Sequence, residues 1–265
     1  MSNDQNKFAD VPIRVKTWLY ILVVFAIGIS NTFAMKIFVS WICFQCFYEF
    51  LRLSNIDSNR IFSPVFVGLS QFLLLYFFHI NDYFIYSFVL GIIVLIYYYL
   101  KKLSSIQLIK ITLALVICLF SYAYLYFVRE KAHGIYLIIF LIVITELNDV
   151  FQYLMGKFFG KHKITPNISP NKTLEGLLGG ILLTTILSNV LGYFILDTDV
   201  ISNTILGLIL GIFGFFGDVL MSFVKRKSNI KDTGNLLPGH GGLLDRMDSL
   251  IFNAPIFFWL IPYFI

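Results

Sequence analysis

Apolar runs recur along the whole chain, each about as long as one bilayer crossing and each interrupted by a short polar connection. A helix needs about 20 residues to cross the hydrocarbon core. On that rule the pattern predicts nine spans, near 17–35, 37–53, 61–79, 83–100, 106–128, 134–155, 174–196, 200–224 and 249–265. The predicted fold class is all-α, a polytopic integral membrane protein. The stretch MSNDQNKFADVPIRVKTW precedes the first run. No small-residue cleavage site follows that run, so it reads as a retained helix and not a removed signal peptide.

Composition strengthens this reading, with 58% hydrophobic and 13% charged residues. Charge adds orientation. With nine alternating spans, seventeen of the twenty Lys and Arg fall in the N-terminal tail and the connections after spans two, four, six and eight. The other side receives only Lys36, Arg129 and Lys131. That asymmetry predicts an N-terminus inside and a C-terminus outside. It also accounts for the net charge of +5, and no basic domain stands out, so no nucleic-acid partner is expected. Three cysteines supply no disulfide framework. Cys43 and Cys46, in CFQC, read as small apolar filler inside a span.

Chemistry-bearing residues are unevenly spread. Residues 1–133 read as a transmembrane scaffold, and residues 134–265 as the catalytic region. Three clusters lie in the second part. In ELNDVFQY, helical spacing puts Glu146 and Asp149 on one face of a span. Acids inside a span face a bundle interior or a wet cavity. In SPNKTLEG, Lys172 and Thr173 precede a helix whose N-terminal amides favour anions. In the stretch from Gly217 to Asp248, Asp218, Ser222 and Lys225 or Arg226 recur at helical spacing. Asp245 and Asp248 follow a loop containing Gly239, Gly241 and Gly242. Clustered carboxylates suit Mg²⁺, which is held by a few carboxylates, waters and substrate phosphates. Neighbouring Lys and Arg suit phosphate oxygens.

Ser222 to Asp248 reads SFVKRKSNIKDTGNLLPGHGGLLDRMD. This closely resembles the signature of the phosphatidate cytidylyltransferases, or CDP-diacylglycerol synthases: S-x-apolar-K-R, K-D, P-x-H-G-G and D-R-x-D. SPNKTLEG resembles an upstream segment of the same family, and Asp149 falls where the family keeps an intramembrane aspartate. Met221 stands where many members have Glu, and Asn148 where small residues are common, which suggests a side branch. The resemblance implies cytidylyl transfer from CTP to phosphatidic acid, with pyrophosphate released. The alternatives are transfer to another lipid phosphate, isoprenoid or ether, or a membrane transporter. It further implies Mg²⁺ on Asp218, Asp245 and Asp248, with Asp149 the weakest ligand. Lys225, Arg226 and Lys172 would hold phosphates. His240 would bond a phosphate or order its loop, and Ser222 would bond phosphate or metal-bound water. Lys231 and Asp232 would pair with each other or with substrate, and Arg246 joins this catalytic set. Thr173, Gly241, Gly242 and Asn148 are the remaining substrate-binding candidates. The partners expected are CTP, a lipid phosphate and membrane lipids, with a homodimer left open. The site should face the cytoplasm from the plasma or inner membrane.

Overall fold

A computed structural model describes residues 11–56, 61–238 and 241–265, and every regular element among them is helical. The first half holds α1 (Val11–Ile29), α2 (Thr32–Leu53), α3 (Phe62–Phe77) and α4 (Ile80–Leu100). Its last span comes in three pieces: α5 (Ser105–Leu115), a π-helical segment (Val116–Ser121) and α6 (Ala123–Glu130). The second half holds α7 (Gly134–Phe159), α8 (Leu174–Leu191) with a π-helical end (Gly192–Leu196), and α9 (Val200–Lys227). A short α10 (Leu244–Met247) then leads into α11 (Leu250–Phe264).

Among the described residues, seven helical segments are long and apolar enough to cross a membrane. The protein is an all-helical integral membrane protein, and two further apolar helical stretches among the described residues are shorter. They are Leu19–Ile29, within the 19-residue α1, and Phe62–Phe77. The 16 residues of α3 rise about 24 Å, less than a hydrocarbon core of about 30 Å. The last span, Leu244–Phe264, begins earlier than the hydrophobic pattern suggested and so includes Asp245 and Asp248.

Local sequence explains the helix starts. Asn31 caps α2 by accepting from the Ala34 amide at 2.8 Å. Ser104 and Gln107 form a capping box on α5. Thr173 caps α8 by accepting from the Gly176 amide at 3.1 Å, and Asp199 caps α9 through the Ile201 and Ser202 amides. In the π-helical segment the widened turn leaves the Leu119 carbonyl for the buried Tyr83 hydroxyl, 2.6 Å away.

The apolar core runs through α2, the fifth span, α7 and α11, and the free thiols Cys43, Cys46 and Cys118 are buried in it. α7, α8 and α9 pack closely through small residues. A Cβ on Gly180 would lie 2.3 Å from Gln152 Cγ, and one on Gly217 would lie 2.3 Å from the Asp248 carbonyl oxygen. Asn148 spans all three helices. It donates to the Gly211 carbonyl at 3.3 Å and accepts from Thr184 at 2.9 Å.

Polar ties between connections define two ends of the bundle. At one end Gln107 reaches the Ser54 carbonyl, Lys110 reaches Ser228, and Arg226 reaches the Ile168 carbonyl. At the other, Arg129 reaches the Ile29 carbonyl at 2.8 Å. The connections after α2, α4, α7 and α9 therefore share one end, the grouping that alternating spans require.

Candidate active site

The site begins with one glycine. Because Gly217 has no side chain, α9 approaches the backbone at Asp248. That brings the next residue, Asp218, beside the start of α11. Asp149 on α7 completes the group. The carboxylates of Asp149, Asp218 and Asp248 are mutual electrostatic neighbours. Ser249 donates to Asp149 Oδ2 at 2.8 Å, while Asp149 Oδ1 is buried with no hydrogen-bond partner. Asp248 is 6% exposed, and its Oδ1 accepts from the Ser249 amide at 3.0 Å.

Lys172 supplies the facing cation, 2.5 Å from Asp218 Oδ2 and 4.7 Å from the centre of the Phe215 ring. Its position comes from the loop 160–173. Glu175, in the first turn of α8, folds back to accept from the Lys161 and His162 amides and contacts the His162 ring at 2.6 Å. Arg226 holds the other side of the loop by donating to the Ile168 carbonyl at 3.1 Å, and it also reaches the Ile230 carbonyl. Between this loop, α7, α8 and α9 lies a cavity of about 180 Å³, lined by Asp149, Gln152, Tyr153, Ser169, Asn171, Lys172, Thr173, Gly176, Leu177, Phe215 and Asp218.

Behind the cavity the signature loop closes on itself. Lys225 bonds Asp245 Oδ1 at 2.7 Å. Asp245 Oδ2 accepts from the Thr233 and Gly242 amides at 2.8 and 3.0 Å, and lies 3.0 Å from the Thr233 hydroxyl, whose single proton has the nearer acceptor Glu49 Oε2 at 2.7 Å. Gly241 adopts φ +85°, a left-handed conformation that favours glycine. Lys225 also has Asp248 and Asp218 as charged neighbours, and so stands between loop and cavity.

The expected residues therefore separate. Asp149, Asp218, Lys172 and Thr173 line the cavity, with Asp248 adjacent and Ser222 donating to Asp218 Oδ1 at 3.3 Å. Asp245, grouped beforehand with the metal ligands, has both oxygens engaged within the loop. The Gly242 amide is likewise taken by Asp245, and a Cβ there would lie 2.3 Å from a Glu49 oxygen. Asn148 is fully buried between helices and does not line the cavity. Arg226 braces a loop. Lys231 and Asp232 are exposed at the loop surface. Arg246, also exposed, is the charged neighbour of Glu146 on α7. His240 lies outside the described residues. Met221 is fully buried in the core and does not line the cavity. Sequence reasoning missed Glu49 and Thr233. A lone acid near the end of an otherwise uncharged stretch was the available signal for Glu49.

Fold and site together define a polytopic helical membrane protein with an acid–base cavity at one end. The sequence matches the cytidylyltransferase family over residues 12–264, and the chain belongs to that family. It is 42% identical over 146 residues to the Staphylococcus aureus (strain COL) phosphatidate cytidylyltransferase, covering 52% of this chain and 56% of that one. Identity to the Staphylococcus haemolyticus phosphatidate cytidylyltransferase is 39% over 145 residues, with the same shares covered. With the Escherichia coli (strain K12) "Uncharacterized protein YnbB" it is 52% over 130 residues, 49% of this chain and 44% of that one. The chain thus spans about half the length of the curated relatives it matches.

Proposed function

We propose that the protein transfers a cytidylyl group from CTP to phosphatidic acid, releasing pyrophosphate and leaving CDP-diacylglycerol in the membrane. A phosphate oxygen of the lipid attacks the α-phosphorus of CTP, and the bond from that phosphorus to the pyrophosphate oxygen breaks. The acceptor is already anionic, so no strong base is needed. The barrier lies in bringing two anions together, which makes positioning and charge the main catalytic terms.

The observation that carries this reading is the cavity where Lys172 faces Asp218 and Asp149 at one end of the bundle. Lys172 would hold a phosphate against the N-terminus of α8, whose amides favour anions. Among the described residues no three His, Cys, Asp or Glu form a ready metal cage. The donor set nevertheless fits Mg²⁺, which needs few protein carboxylates, and the buried Asp149 Oδ1 has no other partner. Asp149, Asp218 and Asp248 would hold the ion, and bound there it would supply positive charge to phosphate oxygens. Lys225 balances the same carboxylates from behind. The end carrying the cavity also carries the more basic connections, which supports a cytoplasmic site supplied with CTP and attractive to anionic headgroups.

Purified protein in detergent, given CTP, Mg²⁺ and a panel of lipid phosphates, tests the reading. Pyrophosphate release should require lipid and metal and be fastest with phosphatidic acid. A faster isoprenoid or ether-lipid phosphate would replace the acceptor, and no release with any lipid phosphate would overturn the reading.

A further inference from the structure

We infer that Glu49, on α2 in the first half of the chain, is the positioning residue for the segment that carries Asp245 and Asp248. The catalytic side of this inference rests on the transfer reading above. Glu49 is 1% exposed. Its Oε1 accepts from Gln45 Nε2 and the Leu243 amide, both at 2.9 Å, and its Oε2 accepts from the Thr233 hydroxyl at 2.7 Å and the Leu244 amide at 3.0 Å. The two amides belong to residues next in sequence to the Gly242 amide bound by Asp245. Three successive N–H groups are thus shared between two carboxylates, one local and one about two hundred residues away in sequence.

The loop is shaped to admit this side chain. A Cβ on Gly242 would lie 2.3 Å from Glu49 Oε2, and one on Gly234 would lie 3.2 Å from Oε1. The first half holds the same loop at three further points. Thr17 donates to the Pro238 carbonyl at 3.1 Å, Lys110 to Ser228 at 2.8 Å, and Tyr122 to the Met247 carbonyl at 3.2 Å. Of these contacts, Glu49 alone grips both sides of the turn, at Thr233 and at Leu243–Leu244. Released there, the turn loses the register that sets Asp245 against Lys225 and Asp248 against Asp218.

Glu49→Gln tests this, because it keeps side-chain volume but turns an NH₂ group toward N–H and O–H donors. Pyrophosphate release should fall about 100-fold, the order of loss from a misplacement of about 1 Å. The loss should lie in kcat, with the KM for phosphatidic acid little changed. Hydrogen–deuterium exchange supplies a readout independent of turnover. Peptides covering Thr233 to Leu244 should lose protection, while those in α7 and α8 keep the wild-type pattern. Wild-type kcat in Glu49→Gln, or wild-type protection of the loop, overturns the inference, as does protection lost equally throughout the bundle. If the wild-type protein releases no pyrophosphate with any lipid phosphate, the transfer reading falls by itself. The exchange pattern then still decides whether Glu49 positions the loop.

Discussion

Two lysine–aspartate pairs lie near each other at the same end of the bundle. Lys172 and Asp218 meet at 2.5 Å with side chains 15% and 27% exposed, and Lys225 and Asp245 meet at 2.7 Å with side chains 12% and 9% exposed. The second pair is saturated, because Asp245 also takes the amide donors of Thr233 and Gly242. The first pair borders an open cavity and a carboxylate oxygen with no partner. The same chemistry is closed by its neighbours in one place and left with spare valence in the other. Spare valence is what a substrate or ion can use.

This contrast predicts different losses. The largest belongs to the cavity: Asp218→Asn or Lys172→Met should lower turnover about 100- to 1000-fold, as removal of a preorganised charge does. The thermal midpoint in detergent should barely move. Next comes Asp245→Asn, which leaves Lys225 buried without its partner and should destabilise by about 3 kcal/mol, read by thermal unfolding. A stable but inactive Asp245→Asn would move Asp245 to the cavity's side of the comparison. Gly242→Ala should cost about 1–3 kcal/mol through overpacking against Glu49 and Thr233, in the same assay. Smallest is Thr173→Ala, about 1 kcal/mol for a lost helix cap. That variant also retracts a hydroxyl from the cavity wall, so a turnover loss above about tenfold, worth 1.4 kcal/mol, would mark Thr173 as touching substrate.

Much of this was legible in the sequence. Hydrophobic runs predicted the helical membrane class, the 27-residue signature singled out Asp245, Asp248 and Lys225, and helical spacing added Asp218. SPNKTLEG pointed to Lys172 because a lysine before a helix start has a local meaning. What stayed hidden was which acids face outward. Asp245 and Asp248 look equivalent in DRMD, and only the loop's fold gives one of them three donors. Glu49 was harder still. Its contacts lie 184 to 195 residues away, and a first half with few polar clusters reads as plain scaffold. The number of crossings was less legible, since an apolar run does not state how many of its residues will be helical.

The short contact between Lys172 and Asp218 makes the cavity self-neutralising. An arriving anion that draws the ammonium toward itself strips the aspartate of its counter-ion, and the exposed carboxylate then attracts a cation. An arriving cation does the reverse and hands the lysine to an anion. On the proposed reading each guest would raise the affinity for the other through one exchange of partners, so nucleotide and metal would be admitted together more readily than either alone.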